Sequence, residues 1–342
     1  MSDLEKVNGH HAKDLLPSSF AAALTSPDEA AKLPFDVEHA LAAVVRLHAE
    51  VPEDGYTAPF LGTEREGNGV IIDDNGLILT IGYLVVEAMA VSIGISDDGG
   101  DDRMIPGEVI AYDYDSGFGL IRALEPLGLP HLEIGNSADL SVGNGVLVAG
   151  HGGREGSIGA RVVSKREFAG YWEYMLDEAI FTAPAHPNWG GTALIDQHGK
   201  LVGIGSLYVE DAIEEGAGRT GNMFVPIDLL KPIFDEMLRE GRTAGSYRPW
   251  MGLFTAEVEG HVEVIALAQD GPAETAGLQA GDVIVKVLGL PITTMVNLYR
   301  TAWSAGKAGI DIPMTILRDT YAFELIVKSE DRYTRLKFQH RD

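Results

Sequence analysis

Short apolar runs recur along the first two thirds of the chain, and turns containing Gly, Asp or Asn separate them. Short runs at this spacing are typical of antiparallel strands that close into barrels or sandwiches. The pattern predicts strands at 70–72, 77–80, 91–95, 108–111, 119–123, 145–149, 160–164, 180–183 and 201–206. We therefore expect a mainly β protein.

The first clear helical periodicity comes after these runs, at residues 228–240. Leu229, Ile233 and Leu238 fall on one face there, and Gly241 is expected to end the helix. The segment GRTAGSYR that follows is small and polar, which favours an exposed linker over residues 241–248.

A second unit of strands and two short helices is predicted beyond the linker. The helices are expected at 272–276 and 294–305. The second of them carries an apolar stripe formed by Val296, Leu298, Tyr299 and Ala302.

The first region contains, in order, the motifs 67–72 (GNGVII), 76–80 (GLILT), 119–121 (GLI), 190–204 and 222–227 (NMFVPI). Together these motifs resemble the HtrA (DegP-like) family of trypsin-fold serine proteases. The resemblance implies a trypsin-like double six-stranded antiparallel β-barrel. Trypsin-fold catalysis needs a hydroxyl nucleophile, an imidazole base and an orienting carboxylate.

The resemblance puts other residues at all three catalytic positions. Tyr83 stands at the position of the family's His, Gly117 at that of its Asp and Trp189 at that of its Ser. Pro187 has no N–H and falls where the family uses a Gly N–H for the oxyanion hole. We therefore expect a pseudoprotease with no catalytic residues and no enzymatic activity.

Two interpretations of the cleft stay open at this point. Tyr83 and Trp189 either fill the emptied cleft or form an aromatic ligand pocket. The alternative function is a serine-type endopeptidase-like hydrolase that uses rearranged residues, namely Asp115, His186 and Thr192. Hydrogen-bond reach among those side chains would distinguish it from a binding protein.

The second unit contains the motifs 271–273 (GPA), 276–278 (AGL), 281–284 (GDVI), Gly289 and the loop Trp250, Met251, Gly252 and Leu253. In these motifs it resembles a bacterial PDZ domain. Consecutive N–H groups of such a loop receive a terminal carboxylate, and the edge strand after it pairs with an extended peptide. Leu298 and Tyr299 would form the other wall of this peptide-binding groove. The alternative is that the domain is only a spacer, or that the chain's own barrel covers its groove.

Together the patterns divide the chain into five segments. We expect an N-terminal arm at 1–35, the trypsin-like domain at 36–240, the linker at 241–248, the PDZ domain at 249–329 and a C-terminal tail at 330–342. The expected function is a peptide- or protein-binding scaffold or regulatory subunit that takes protein C termini. The family resemblance also implies a homo-oligomer, a trimer, and Phe20, Phe35, Phe60 and Leu61 in polar surroundings support one.

Composition limits the partners further. The chain has 26 Lys and Arg against 51 Asp and Glu, a net charge of −25, which argues against nucleic acid and anionic membranes as partners. It contains no cysteine and its histidines lack ligand spacing, so we expect no metal and no cofactor. The first 35 residues contain no signal-peptide core, which predicts a cytoplasmic protein.

Overall fold

The computed structural model describes residues 6–7, 10–11, 19–96, 102–213, 218–243 and 247–337. The chain divides into two compact units, with residues up to Arg166 and Ala179–Arg242 in the first and Glu167–Glu178 and Thr243–Lys337 in the second. Parts of the predicted arm, linker and tail lie outside the described residues. The domain boundaries predicted from the sequence stay predictions.

The described residues of the N-terminal segment form two short strands and three short helices. The strands β1 (Lys6–Val7) and β2 (His10–His11) pair antiparallel, and the helices are α1 (Ser19–Thr25), α2 (Pro27–Ala30) and α3 (Val37–Ala42). Asp36 caps α3, since its carboxylate accepts from the amides of Glu38 and His39 at 3.0 and 3.2 Å. Phe20 is only 1% exposed and contacts Phe35, so it does not belong to an exposed oligomer surface as the sequence suggested.

The first barrel is closed and six-stranded, in the order β3-β4-β5-β8-β7-β6. Its strands are β3 (Val44–Glu50), β4 (Glu64–Ile71), β5 (Leu77–Ile81), β6 (Ala90–Ser96), β7 (Asp102–Tyr112) and β8 (Phe118–Ala123), with the short helix α4 (Ala58–Leu61) between β3 and β4. The turn into β5 is set by Asp73, whose carboxylate accepts from the amides of Asn75 and Leu77 at 2.9 and 2.7 Å.

The second barrel is also closed, in the order β10-β11-β14-β13-β12-β9. Its strands are β9 (Gly145–Ala149), β10 (Ser157–Gly170), β11 (Tyr174–Ala183), β12 (Ala193–Ile195), β13 (Leu201–Val209) and β14 (Gly221–Pro226). The predicted double six-stranded barrel and all nine predicted strands are confirmed. Three barrel strands, β3, β12 and β14, are not among these nine, although the motif at 222–227 covers most of β14.

The helix predicted at 228–240 is shorter in the structure. A 3-10 turn covers Ile227–Leu229, and the helix α5 covers only Phe234–Glu240. Pro232 has no N–H for a continuous helix, which explains the break. Leu229 is consequently 39% exposed instead of lying on a buried face, whereas Gly241 ends α5 with a φ of 73° as predicted.

The second unit is a sheet with the strand order β15-β16-β17-β19-β20 and two helices. Its elements are β15 (Leu253–Val258), β16 (His261–Leu267), α6 (Pro272–Thr275), β17 (Val283–Val287), β18 (Leu290–Pro291), α7 (Met295–Ser304), β19 (Asp311–Arg318) and β20 (Tyr321–Lys328). Both predicted helices are confirmed. The N-cap of α7 is Thr294, whose hydroxyl accepts from the amide of Asn297 at 3.1 Å.

Candidate functional site

Tyr83 lies on a 3-10 turn, Gly82–Leu84, directly after β5. Its hydroxyl donates to the Ser206 carbonyl at 2.9 Å, across to the second barrel's strand β13. Burial raises the pKa of the Tyr83 phenol above its usual value, against the effect of a hydrogen bond from Trp189. The phenol therefore stays protonated at neutral pH and serves as a hydrogen-bond donor.

Trp189 belongs to a loop that is fixed by Asn68 of β4. The Asn68 amide donates to the carbonyls of Asn188 and Gly190 at 3.0 Å each, and its backbone N–H donates to the Gly190 carbonyl at 2.8 Å. A Cβ on Gly191 would lie 1.8 Å from the Asn68 carbonyl oxygen, so only glycine fits there. The half-buried Trp189 ring packs against Tyr208, with 5.6 Å between ring centroids.

Gly117 sits in a tight turn before β8 with a φ of 82°, and its carbonyl accepts from the Gly82 amide at 2.7 Å. The buried acid of this turn is Asp113. Its carboxylate accepts from the backbone N–H and the hydroxyl of Ser116 at 2.8 and 2.6 Å. Asp115, which the sequence suggested, is only half-buried.

The side chains suggested for a rearranged catalytic site bond mainly to backbone groups. His186 is buried; its Nε2 lies 2.9 Å from the Gly156 carbonyl oxygen and its Nδ1 accepts from the Asn188 amide at 3.1 Å. The Thr192 hydroxyl is buried and donates to the Trp189 carbonyl at 2.9 Å. None of these bonds joins His186 to Thr192.

In the second unit, the loop before β15 presents its N–H groups to a carboxylate. Gly252 has a φ of 77°, which favours glycine, and a Cβ there would lie 3.1 Å from the Cβ of Ala268. The backbone N–H of Leu253 donates to Glu173 Oε1 at 2.8 Å, and that of Met251 donates to Glu173 Oε2 at 3.1 Å. The loop N–H groups therefore bind the Glu173 carboxylate of the same chain, whereas binding of a peptide's terminal carboxylate stays a prediction.

Glu173 lies in the turn between β10 and β11, in the part of the chain that belongs to the second unit. It is 1% exposed and has a φ of 57°, a conformation that non-glycine residues rarely adopt. Burial raises its pKa to about 7, although the loop amides and Arg332 favour the ionised form. No sequence motif marked Glu173, since its partners lie about eighty residues away.

The residues predicted for the groove wall are also close to this turn. Leu253, Leu298 and Tyr299 are buried in one apolar cluster. The Tyr299 hydroxyl donates to the Gly170 carbonyl at 2.8 Å and accepts from the Glu173 amide at 3.3 Å. Trp250, also predicted for the site, is buried at the start of the loop.

Comparison with known proteins identifies two domain families. Residues 67–204 match the trypsin-like peptidase domain family, and residues 249–328 match the PDZ domain family. A Pseudomonas fulva protein named probable periplasmic serine endoprotease DegP-like is 28% identical over 276 residues, which cover 75% of this chain and 55% of the relative. A Synechocystis protein named putative serine protease HhoA is 27% identical over 328 residues, covering 85% of this chain and 79% of the relative.

The solved structure of an HtrA-type protease, AlgW with decapeptide, aligns with a TM-score of 0.50 and 18% identity, covering 89% of this chain and 98% of that chain. At that identity the likeness shows the fold alone. This chain therefore carries an HtrA/DegP-like trypsin-like peptidase domain followed by one PDZ domain. It spans about half the length of the DegP-like relatives that it matches.

These findings correct two expectations from the sequence. The expectation that the chain is not an enzyme is contradicted by the names of its relatives, which are serine endoproteases and serine proteases. The expected cytoplasmic location is also contradicted, because the DegP-like relatives are named periplasmic proteins.

Two searches of the described residues bear on other kinds of site. Across 19–96, 102–213, 218–243 and 247–337, no group of three or more His, Asp or Glu is placed to hold a metal ion. No helix in the part of the chain that the structure describes is long and apolar enough to cross a membrane.

Proposed function

We propose that this chain binds the C-terminal ends of extended peptides through its PDZ domain, as a scaffold or regulatory subunit. The binding residues are the loop Trp250, Met251, Gly252 and Leu253 together with Leu298 and Tyr299 of α7. In this proposal the loop amides receive the terminal carboxylate and β15 pairs with the peptide backbone. Backbone pairing supplies affinity, and the apolar wall selects the last side chain.

One observation carries this proposal: the loop amides already bind a carboxylate. The N–H groups of Met251 and Leu253 converge on the two oxygens of Glu173, at 3.1 and 2.8 Å. These distances are those of ordinary N–H to carboxylate hydrogen bonds. A chain end offers the same chemical group, with two oxygens and one negative charge.

Amidation of the peptide terminus tests this proposal, because it removes the charge and one acceptor oxygen. Fluorescein-labelled random heptapeptides would be titrated onto the full chain, once with a free C-terminal carboxyl and once as amides. We expect the free acids to bind at least tenfold more tightly. Equal binding of the two pools contradicts the proposal. Leu298→Asp is a further check, since a charge in the apolar wall should weaken binding of both pools.

Peptide hydrolysis by the trypsin-like domain is the second candidate function. What favours it is the likeness to relatives named serine endoproteases. The finer proposal for this domain is that the His–Asp–Ser triad is missing, since Tyr83, Gly117 and Trp189 occupy the corresponding positions. Hydrolysis in this chain would then need other groups.

Hydrolysis of fluorescent casein by the full chain, measured with the variants Thr192→Val and His186→Gln, tests this second function. Cleavage that disappears in either variant supports a rearranged site. Labelling of a serine or threonine by a fluorophosphonate probe would identify the nucleophile directly. If the labelled residue also had a histidine within hydrogen-bond reach, the proposal that the triad is missing would be contradicted.

We also propose a homo-oligomer, a trimer, and a periplasmic location. The large exposed apolar side chains Phe60 and Leu61, at 57% and 41% exposure, support an interface near α4. The names of the DegP-like relatives support the location. Light scattering that gives only the 36.7 kDa monomer mass would contradict the oligomer.

A further inference from the structure

The outer edge of β15 is occupied by a segment of the same chain. β15 is the first strand of its sheet, so its outward N–H groups have no strand partner in the order β15-β16-β17-β19-β20. The Leu253 amide donates to the Glu173 carboxylate at 2.8 Å, and the Thr255 amide donates to the Tyr171 carbonyl at 2.9 Å. Two successive outward amides are therefore taken by one short turn.

The opposite wall of the groove binds the same turn. The Tyr299 hydroxyl of α7 donates to the Gly170 carbonyl at 2.8 Å and also lies 3.0 Å from the Thr255 hydroxyl. Ala169 and Met175, which flank the turn, pack against the apolar cluster of the second unit. We call residues 169–175 the docked segment, because they span the groove from the edge strand to the helix.

The docked segment meets the requirements of a peptide ligand in each respect. It supplies a carboxylate to the loop, a carbonyl to the edge strand and apolar side chains to the groove wall. The Tyr171 ring also lies 6.2 Å from that of Phe254 on β15, measured between ring centroids. A peptide chain end and the docked segment need the same N–H groups, so they cannot bind at the same time.

We propose that the docked segment is an internal ligand of the PDZ domain that competes with peptide C termini, with the Glu173 side chain in the place of the terminal carboxylate. The inference rests on the proposed peptide-binding function and adds its regulation. The free groove exists only when the docked segment leaves it. The affinity of the full chain for a peptide is then reduced by the fraction of molecules in which the segment is docked.

Two features of the docked state oppose its own stability and make the segment displaceable. Glu173 holds a φ of 57°, which a non-glycine residue adopts at a cost. Its carboxylate is buried near Arg332, which favours the ionised form, and the Tyr299 hydroxyl accepts from the Glu173 backbone N–H. Burial raises the pKa of Glu173 to about 7 in spite of Arg332, so burial disfavours the ionised carboxylate in the docked state. A competing ligand therefore need not be exceptionally tight.

The test compares the full chain with Glu173→Ala and Glu173→Gln, and Glu324→Gln is the control because it removes an exposed glutamate from the same unit. Fluorescence anisotropy measures the affinity for the pool of random heptapeptides with free carboxyl ends and for the amidated pool. We expect Glu173→Ala to bind the free acids about tenfold or more tightly than the unmodified chain. Glu173→Gln keeps the shape and one acceptor oxygen and should show a smaller gain, and the control should show none.

The outcomes separate the inference from the function on which it rests. Equal affinity of the unmodified chain and both Glu173 variants for the free acids, with the amides binding more weakly, overturns the competition and leaves peptide binding standing. The same holds if either variant binds more weakly than the unmodified chain. If no protein distinguishes acid from amide, the proposed function fails and the competition with it. If Glu173→Ala does not fold, as judged by circular dichroism, the result for Glu173→Gln decides.

Discussion

The buried Glu173 carboxylate makes the stability of the second unit depend on pH. Burial raises its pKa to about 7 in the folded chain from 4.5, the ordinary value that applies when the chain is unfolded. Between these two values the unfolded chain has lost the proton while the folded chain keeps it. The contribution of Glu173 to the unfolding free energy is therefore fully present below pH 4.5 and is lost as the pH rises through about 7.

The size of the effect follows from the pKa difference. At 1.36 kcal/mol for each pKa unit, a rise from 4.5 to about 7 corresponds to about 3 kcal/mol of unfolding free energy. Screening by solvent changes this little, because the Glu173 side chain is 1% exposed. Replacing Glu173 with Gln removes the titration but keeps the shape of the side chain. The difference in stability between the two proteins should then vary by about 3 kcal/mol between pH 4.5 and pH 8.

Urea unfolding at a series of pH values measures this difference. Trp172, Trp250 and Trp303, three of the four tryptophans, belong to the second unit, so tryptophan fluorescence reports mainly on its unfolding. Glu324→Gln controls for the loss of one negative charge. The unmodified protein should lose stability relative to Glu173→Gln as the pH rises. A difference that stays within about 1 kcal/mol across this range would refute the burial of the carboxylate in solution.

Three further substitutions test other parts of the structure. Gly252→Ala should weaken the binding of free-acid peptides at least tenfold in anisotropy titrations. Gly252 has a φ of 77°, and a Cβ at this position would lie 3.1 Å from the Cβ of Ala268, so a side chain is opposed there. Unchanged affinity would contradict the loop geometry. Asn68→Ala should lower the unfolding free energy by about 2 to 3 kcal/mol, because the Asn68 side chain holds the Trp189 loop through buried hydrogen bonds. A loss below about 0.5 kcal/mol in urea unfolding would show that other contacts hold the loop. Trp189→Ser alone should leave the rate of casein hydrolysis at that of the unmodified chain. The nearby Tyr83 phenol stays protonated, so it cannot take the proton from the new serine hydroxyl. A rise of tenfold or more in the rate would contradict this prediction.

Local patterns predicted most of this fold. The nine strands were found from short apolar runs and turns, because each strand is defined by neighbours within a few residues. β3 was missed because its segment, Val44–Glu50, follows an alanine-rich helical stretch and alternates apolar with charged residues only weakly. The helix predicted at 228–240 begins too early, because the apolar spacing continues across Pro232, whose missing N–H delays the start of α5 to Phe234.

Candidate site residues that belong to a local sequence motif could be predicted from the sequence. Residues whose role depends on partners far away in the sequence could not. The loop at Gly252 is predicted from its resemblance to the carboxylate-binding loop of PDZ domains, and the structure gives Gly252 a φ of 77°. Glu173 was not found, since nothing in its own neighbourhood distinguishes it from other exposed-looking turn residues. Asn68 lay within a segment assigned to a strand, and its side-chain bonds to residues about 120 positions away have no local signature.

Tyr83 and Trp189 on the one hand and Glu173 on the other are held in ways that differ physically. Tyr83 lies on a turn after β5, and Trp189 lies on a loop that the Asn68 side chain holds. The bonds of Glu173 to the loop amides, by contrast, can be replaced one for one by the two oxygens of an incoming chain end. Ligand exchange is therefore expected at the groove, where the bonds broken and the bonds formed are of the same kind.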